Sequence, residues 1–504
     1  MKEFPLIAKT FQGLEEVLAQ ELTELGANDI QIGRRMVSFT GDKAMMYRAN
    51  FCLRTAVRIL KPIATFEAHD ADEVYEAVKR LAWEDYLDVR TTFAIDTTIF
   101  GEAFPHSKFV AYRVKDAICD RFNEREGKRP SISVSAPDVK LNIHIADTQC
   151  TLSLDSSGES LHQRGYRVAT VEAPINEVLA AGILKLSGWT PDKPLTDPFC
   201  GSGTIVVEAA LMARGINPGI YRKSFGFEKW KDFDADLLES IYNDDSGERE
   251  FEGRIVAADI SKPALDAARA NAKSAGVADL IEFRQQDFRE FTQPEGDAGY
   301  IVTNPPYGVR LTPPAILDLY AAIGERLKHE FRGGDAWIIC SKEECFDAVG
   351  LRPSIKIQLQ NSNLECELRK YQIFEGRMGD FRAAGGDVKS HEERRFMNDR
   401  SRFRQHTEEF RRPRYSDEAE DDSEEARAYA LLRGKHREFM QFQEARERRE
   451  RRERERRERS ERKPAGDARP WRQRRADDEG KPFHRNGNNR DGYKGFKPRG
   501  NFKK

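Results

Sequence analysis

The sequence predicts an α/β fold: a doubly wound, Rossmann-like sheet, preceded by an α+β module and followed by a disordered charged tail. Two observations carry this prediction. Between residues 195 and 340, short apolar runs alternate with helical stretches, and strands that alternate with helices form a mostly parallel sheet. After residue 376, Arg and Glu replace the apolar residues that a core requires, so most of the tail is expected to stay disordered.

The chain divides into four predicted segments. In residues 1–60 the apolar residues of 11–25 have helical spacing and Gly26 ends that helix, whereas 30–39 has the alternation of a strand. Residues 61–156 combine a half-buried strand at 93–99, a helix at 107–122 and further strands near 141–154. The other two segments are the doubly wound unit, 157–376, and the tail, 377–504.

The elements of the doubly wound unit follow from apolar runs and their boundary residues. Ser261 is placed as an N-cap and Gly276 as a helix stop. The predicted strands are 195–199, 254–260, 280–285, 300–303 and 336–340, the predicted helices are 204–214, 261–275 and 314–331, and a hairpin closes the unit around residues 361–363.

Composition restricts the class of protein. The 504 residues include 7 cysteines, an odd number without a Cys-x-x-Cys pair, which favours reduced thiols over a disulfide framework or a zinc site. The first ten residues lack a signal segment, and no stretch approaches the roughly 20 apolar residues of a membrane span. We therefore expect a cytoplasmic protein without membrane or metal partners; the oligomeric state stays open.

A glycine-containing turn follows the first predicted strand of the doubly wound unit. It reads Asp197-Pro198-Phe199-Cys200-Gly201-Ser202-Gly203-Thr204 and opens an apolar helix. Gly201 and Gly203 lack a Cβ, so the backbone can turn tightly and approach a ligand closely. The helix that follows presents free N–H groups at its start. Because doubly wound sheets bind ligands at the carboxyl ends of their strands, the turn predicts a ligand site.

A second stretch, Thr303-Asn304-Pro305-Pro306-Tyr307-Gly308, follows the fourth predicted strand. The two stretches together resemble the cofactor loop and the catalytic loop of S-adenosyl-L-methionine-dependent methyltransferases that methylate exocyclic amino groups. By analogy with dinucleotide folds, Asp259 at the end of the second strand should accept the ribose hydroxyls. The resemblance places Asp287 beside the adenine amino group. The cofactor-binding residues implied in this way are Asp197, Phe199, Cys200, Gly201, Ser202, Gly203, Thr204, Asp259, Asp287 and Asn304.

The catalytic loop has a chemical rationale. A purine amine is a poor nucleophile because its lone pair delocalises into the ring. The Asn304 side-chain oxygen and the Pro305 carbonyl can accept its two N–H groups and aim the lone pair at the methyl group, and such alignment can lower a barrier by ~7–11 kcal/mol at its upper range. Pro305 and Pro306 fix the loop without using backbone donors, and Tyr307 would stack on the flipped base. The predicted catalytic residues are Asn304, Pro305, Pro306 and Tyr307.

The N-terminal half adds to this resemblance. A strand–helix–strand–strand module that leads into Leu161-His162-Gln163-Arg164-Gly165-Tyr166-Arg167 looks like a THUMP domain, 61–156, behind a ferredoxin-like subdomain, 1–60. With the two loops, residues 1 to about 376 resemble the bacterial large-subunit rRNA guanine-N2 methyltransferase family. The resemblance implies RNA as partner and guanine N2 in 23S rRNA as acceptor. Without the downstream loops, Arg164 and Arg167 would be interpreted as ordinary surface residues.

Alternatives stay open at this point. The Asn-Pro-Pro-Tyr loop is shared with adenine-N6 enzymes, so a tRNA guanine-N2 or an adenine-N6 methyltransferase is the enzyme alternative, and an RNA-binding ribosome assembly factor is the alternative from another class. Cys200 lies in the cofactor loop, which disfavours a cysteine-based pyrimidine mechanism. Aromatic residues between 215 and 253 are expected to pack on the domain or to touch RNA bases. The basic, aromatic-containing segment 464–504 is expected either to bind RNA or only to solubilise the chain.

Overall fold

The computed structural model describes residues 2–104, 106–171, 174–292, 299–307, 313–361 and 364–374. The predictions for the tail, 377–504, and for the hairpin turn at residues 362 and 363 lie outside the described residues.

The N-terminal module combines strands with helices. Its strands are β1 (Phe4–Lys9), β2 (Asn28–Gly33), β3 (Met36–Gly41), β4 (Arg58–Glu67), β5 (Thr92–Phe100), β6 (Ser131–Ile132), β7 (Val139–Ala146) and β8 (Gln149–Asp155). Its helices are α1 (Glu15–Leu25), α2 (Lys43–Cys52), α3 (Ala71–Lys79) and α4 (Ser107–Glu126). These strands form one eight-stranded sheet in the order β2-β3-β1-β4-β8-β7-β5-β6. The single strand expected at 30–39 is wrong: β2 and β3 form an antiparallel hairpin that turns at Arg35, whose φ is 56°.

Strand β4 joins the two predicted N-terminal segments. It pairs with β1 on one side and with β8 on the other, both antiparallel. Residue 60 therefore lies inside a strand, and residues 1–60 and 61–156 share one sheet and one apolar core. The two segments form a single rigid platform, because neither can turn against the other without breaking ladder hydrogen bonds.

The doubly wound unit follows the module. Its helices are α5 (Glu177–Ser187), α6 (Thr204–Ala213), α7 (Ala235–Tyr242), α8 (Lys262–Ser274), α9 (Pro313–Glu330) and α10 (Glu343–Val349). Its strands are β9 (Leu195–Asp197), β10 (Ile255–Asp259), β11 (Ile281–Gln285), β12 (Tyr300–Thr303), β13 (Asp335–Cys340), β14 (Ile355–Asn361) and β15 (Leu364–Gln372). The sheet order is β11-β10-β9-β12-β13-β15-β14. Strands β9 to β13 are mutually parallel and β15 runs antiparallel, which confirms the doubly wound sheet and the closing hairpin.

The insert between residues 215 and 253 packs its aromatic residues against the N-terminal module. Phe225, Phe227 and Trp230 are buried in the core of that module. The Phe227 ring stacks on Tyr47 of α2 with ring centroids 4.0 Å apart. These three aromatics pack as expected, but on the N-terminal module, whereas Tyr221 packs on the core of the doubly wound unit and its hydroxyl donates to the Ala275 carbonyl at 2.6 Å. The insert thus attaches the module to the doubly wound unit.

Candidate active site

Four candidate residues lie at the carboxyl edge of the parallel sheet. Asp197 ends β9, Asp259 ends β10, Asp287 follows β11 by two residues, and Asn304 directly follows β12. Because β11, β10, β9 and β12 are neighbours in that order, the structure brings the three acids and Asn304 to one edge in the order 287, 259, 197, 304. Asp197 and Asn304, which lie more than a hundred positions apart in sequence, thus border the same crevice, as the doubly wound topology requires.

The glycine turn is held in a fixed conformation. Gly201 and Gly203 have φ angles of 53° and 82°, in the left-handed region that favours glycine. The Gly201 N–H donates to Asp259 Oδ2 at 3.0 Å, and the Gly203 N–H donates to the Cys200 carbonyl at 2.8 Å. A Cβ at Gly203 would lie 2.9 Å from the Ala268 Cβ on α8. The turn therefore packs so closely on α8 that only glycine fits at residue 203.

Asp259 connects the turn to α8. Its Oδ2 accepts from Gly201, and its Oδ1 accepts from the Ser261 N–H at 2.8 Å, just before the helix begins. The next side chain, Ile260, is 66% exposed although it is large and apolar. The sequence interpretation did not single out Ile260; an exposed branched apolar residue directly after the acid is the signal that could have done so.

Asp197 is buried and joins the two loops. Its Oδ1 accepts from the Thr303 hydroxyl at 2.7 Å and from the Phe199 N–H at 3.2 Å. Burial, opposed in part by these hydrogen bonds, raises the pKa of Asp197 to about 7, and the nearby Asp259 carboxylate adds to the rise. Since Thr303 directly precedes Asn304, this contact fixes the glycine turn relative to the start of the catalytic loop.

Asp287 begins a short helical turn at the same edge. Its Oδ1 accepts from the Arg289 N–H at 2.9 Å. The N–H of the preceding residue, Gln286, donates to the Asp259 carbonyl at 3.2 Å and thereby connects this turn to the end of β10. The Phe288 ring lies 5.2 Å from the Phe199 ring, centroid to centroid. The aromatic pair thus connects the Asp287 turn to the glycine turn.

The catalytic-loop residues are only partly satisfied by protein groups. The Asn304 Oδ1 atom is buried, and it has no hydrogen-bond partner among the residues that the structure describes. Pro305 is buried and Pro306 is half-buried. The Tyr307 hydroxyl accepts from Asn361 Nδ2 at 3.1 Å and lies 4.0 Å from Cys366 Sγ, while the ring packs on two apolar clusters. A buried amide oxygen without a partner costs free energy, and a donor that arrived from outside would remove that cost.

Cys200 lies in the turn but is not poised as a nucleophile. Its side chain is buried, and this burial raises the pKa of the thiol well above its ordinary value. A reactive cysteine requires a thiolate, which forms in electropositive, partly exposed surroundings. The local environment therefore agrees with the sequence argument against a cysteine-based mechanism.

Two functional candidates escaped the sequence interpretation. Arg167 donates to the side chains of Ser202 and Thr204 in the turn, and Asn271 on α8 donates to the Ser202 carbonyl. Neither Arg164 nor Arg167 is an ordinary surface residue, since Arg164 is 2% exposed and Arg167 is enclosed by acceptors. Periodicity does not reveal such residues, because their partners lie on elements distant in sequence.

The edge as a whole fits S-adenosyl-L-methionine. Gly201 and Gly203 leave the backbone of the turn uncovered by side chains, Asp259 offers carboxylate acceptors, and Ile260 exposes an apolar surface of the kind that an adenine ring covers. When bound, this cofactor supplies a methyl group on a positively charged sulfur. The residues of the turn, with Asp259 and Ile260, would hold it, and Asn304 would face the acceptor.

Two other features of the described residues concern metal ions and membranes. Within the described ranges, no group of three or more His, Cys, Asp or Glu side chains is arranged to hold a metal ion. None of the described helices is both long and apolar enough to cross a membrane.

A doubly wound sheet, a glycine turn, an acid on the next strand and an Asn-Pro-Pro-Tyr loop at one edge define an S-adenosyl-L-methionine-dependent methyltransferase. Family models agree and are more specific: residues 164–370 match an RMKL-like methyltransferase domain, 68–155 a THUMP domain and 5–60 an RlmL ferredoxin-like domain. The chain is 38% identical over 373 residues to slr0064 of Synechocystis sp., which is assigned as an RNA methyltransferase, and the match covers 73% of this chain and 97% of that protein. The chain belongs to the family of THUMP-containing RMKL-like methyltransferases.

A larger relative and several solved structures extend the comparison. Ribosomal RNA large subunit methyltransferase K/L of Photobacterium profundum is 38% identical over 377 residues, 73% of this chain but only 53% of that protein. SMU.472, a methyltransferase structure solved with S-adenosylhomocysteine, superposes with a TM-score of 0.68 at 30% identity, over 75% of this chain and 100% of that one. A structure from Listeria monocytogenes, assigned as an N6-adenine-specific DNA methylase, superposes with a TM-score of 0.67 at 33% identity. The match covers 74% of this chain and 97% of that one.

Proposed function

We propose that this protein transfers the methyl group of S-adenosyl-L-methionine to the exocyclic N2 amine of a guanosine in large-subunit (23S) rRNA, in the cytoplasm. Membership of the family supports methyl transfer. The relative from Photobacterium is named for the large ribosomal subunit, and this chain spans about half the length of that relative. All seven cysteines, each in the described part of the chain, are free thiols, as expected of a reducing compartment.

The observation that carries the proposed chemistry is the buried Asn304 Oδ1 atom, for which no described residue supplies a hydrogen-bond donor. An aromatic amine has two N–H groups, and a neutral amide oxygen can accept one of them without taking the proton. With the Pro305 carbonyl as the second acceptor, the lone pair of the amine is turned out of conjugation and toward the methyl group. This role needs orientation and not a strong base, because the amine loses its proton only after it has become cationic.

The other catalytic-loop residues complete the proposed roles. The Tyr307 hydroxyl accepts a hydrogen bond from Asn361, which fixes the position of the ring on which a flipped base would stack. In this proposal the THUMP domain of the N-terminal module recognises the RNA. The insert, whose aromatic side chains are buried in the core of the module, attaches the module to the methyltransferase domain. The module would thus deliver a structured RNA at a fixed distance from the pocket.

The choice of base has an explicit competitor. The structure from Listeria carries the name of an adenine-N6 methylase, and an Asn304-centred pair of acceptors serves adenine N6 as well as guanine N2. The second candidate is therefore adenine-N6 methylation. The relative named for rRNA matches 73% of this chain, which favours an rRNA substrate without naming the base. We favour guanine because the N-terminal module and the two loops resemble the rRNA guanine-N2 methyltransferase family.

The proposal is tested by nucleotide mass spectrometry of rRNA and tRNA from a strain that lacks the gene. We expect N2-methylguanosine to disappear from one position of the large-subunit rRNA and to return with the intact gene but not with Asn304→Ala. Loss of N6-methyladenosine instead would establish the competitor, and loss confined to tRNA would reject the rRNA target.

A further inference from the structure

The segment that leaves the N-terminal module lies against the cofactor turn. Residues 164–171, called here the linker segment, follow the module and are the first residues of the methyltransferase-domain match. A Cβ built at Gly201 would lie 3.6 Å from the Val171 Cγ2 atom, which is ordinary van der Waals contact. The contact raises the question of whether the linker segment only connects two domains or also shapes the turn.

Arg167 binds the turn through its guanidinium group. Nη1 donates to Ser202 Oγ at 3.0 Å and Nη2 donates to Thr204 Oγ1 at 2.8 Å. On the other side, Nε donates to Glu177 Oε1 at 2.7 Å, at the start of α5. The guanidinium donates to these acceptors from three different nitrogens in one rigid plane, whereas the three donors of a Lys ammonium all leave one nitrogen and do not reproduce that geometry.

Asn271 fixes the same segment from α8. Its Oδ1 accepts from the Val168 and Ala169 N–H groups, both at 2.9 Å. Its Nδ2 donates to the Ala169 carbonyl at 2.8 Å and to the Ser202 carbonyl at 3.0 Å. Asn271 is 1% exposed, and these contacts use every donor and acceptor that an amide has.

The other end of the linker segment is fixed as well. Arg164 donates to the Leu161 carbonyl at 2.8 Å and to the Arg54 carbonyl of the N-terminal module. It also pairs with Glu208 of α6 at 3.5 Å, and the Tyr166 hydroxyl donates to the same Glu208 oxygen at 3.0 Å. The turn is therefore enclosed between α6, α8 and a linker segment that is itself anchored in the module.

We propose that Arg167 and Asn271 are positioning residues that hold the cofactor turn in its binding conformation, acting through Ser202 and Thr204. The donors of Arg167 that face the turn are occupied by protein acceptors, so it acts on the cofactor through the turn. The consequence is that cofactor affinity depends on the segment by which the methyltransferase domain joins the N-terminal module. This inference rests on S-adenosyl-L-methionine as the cofactor and is independent of the base and RNA proposed above.

Calorimetry with S-adenosylhomocysteine on the full-length chain tests Arg167. We expect Arg167→Lys to raise the Kd about tenfold, since it gives up hydrogen bonds from a charged group. Arg249→Lys is the matched control, because Arg249 donates to the Ala213 and Met212 carbonyls at the opposite end of the same helix α6. The control should change the Kd less than about twofold, while Arg167→Lys raises KM for the methyl donor with kcat largely kept.

Asn271→Asp keeps the size of the side chain but loses the two donors and sets a carboxylate against two carbonyl oxygens. We expect a Kd increase of about tenfold or more. Asn50→Asp is its control, because Asn50 is also buried and donates to Met46 and Ser156 within the N-terminal module. That control should lower the melting temperature without changing the Kd of the folded protein.

The controls decide between positioning and general stability. Equal Kd changes in Arg167→Lys and Arg249→Lys would overturn the proposal, and so would an unchanged Kd in both Arg167→Lys and Asn271→Asp. If Arg167→Lys does not fold, Asn271→Asp and Ser202→Ala, which removes one acceptor of Arg167, keep the test decisive. None of these results depends on which nucleotide is methylated, so failure here is distinct from failure of the proposed function.

Discussion

The cofactor side and the acceptor side of the site differ in how far protein groups satisfy their polar atoms. On the cofactor side, Asp259 accepts from two backbone N–H groups, and Ser202 and Thr204 both accept from Arg167. On the acceptor side, the Asn304 Oδ1 atom is buried and has no partner in the described part of the chain. The two sides meet at the Asp197–Thr303 hydrogen bond of 2.7 Å.

This difference indicates which side is rigid before ligands arrive. A turn whose donors and acceptors are already paired keeps its geometry, and a site held in this way pays little reorganisation when the cofactor binds. A buried oxygen without a partner instead gains a hydrogen bond when a donor arrives. We therefore expect changes on the cofactor side to affect affinity and changes at Asn304 to affect the rate.

The largest effect is expected from Asn304→Ala. Removing the acceptor that orients the amine should lower the single-turnover rate by a factor of about 10²–10³, the range seen when one precisely placed polar group is removed from an active site. S-adenosylhomocysteine affinity measured by calorimetry should stay within about twofold, since the turn is untouched. Asn142→Ala is the control, because the Asn142 Oδ1 atom is also buried without a partner, but in the N-terminal module. A retained rate in Asn304→Ala would remove Asn304 from the mechanism.

Asp259→Ala should have the next largest effect, and this effect should be on cofactor affinity and not on the rate. The change removes the acceptor of Gly201 and of Ser261 together with the carboxylate proposed to bind the ribose, so we expect the Kd for S-adenosylhomocysteine to rise about 10–100-fold. Calorimetry measures it. The single-turnover rate at saturating methyl donor should fall much less than in Asn304→Ala, and a rate loss of the same size would mean that the two sides are not separable.

A pair of Tyr307 variants separates the ring from the hydroxyl. Tyr307→Ala should weaken RNA-dependent turnover by about tenfold, because base–aromatic stacking is worth ~1–3 kcal/mol. Tyr307→Phe keeps the ring and loses the bond from Asn361 and the contact with Cys366 Sγ, so the free energy of unfolding should fall by about 1 kcal/mol while turnover stays within a few-fold. Turnover assays and urea unfolding check both. Equal turnover losses in the two variants would assign the role to the hydroxyl.

The last prediction concerns the pH dependence of stability, which centres on Asp197, where the two sides of the site meet. Asp197 has a pKa of about 7 in the folded chain, above its ordinary value, so between about pH 4 and pH 7 the folded state binds more protons than the unfolded state. The free energy of unfolding should therefore fall as pH rises toward 7, by about 1 kcal/mol per pH unit, and become level above it. Asp197→Asn should remove this part of the slope in urea unfolding at a series of pH values. Parallel pH profiles for the two proteins would contradict the raised pKa.

Local patterns were sufficient for most of the methyltransferase domain. The run at 300–303 is strand β12 with the expected bounds, and Ser261 caps α8 through its hydroxyl, which accepts from Ala264. Strands β9 and β13 differ from expectation by a residue or two at their ends, and the short helix α10 was missed because its seven residues contain too little periodicity. The catalytic and cofactor residues were predicted from motifs, and their roles stay predictions.

The sequence by itself determined the alternation of strands and helices, the glycine turn and the Asn-Pro-Pro-Tyr loop, because each depends on residues within a few positions of one another. Only the tertiary structure decided that Arg167 and Asn271 contact the turn, that Phe225, Phe227 and Trp230 of the insert belong to the N-terminal core, and that no described residue pairs with the Asn304 Oδ1 atom. The physical reason is distance along the chain. Asn271 reaches Ala169 across 102 positions and Asp197 reaches Thr303 across 106, and hydrogen bonds of that span arise from packing, which no local pattern encodes.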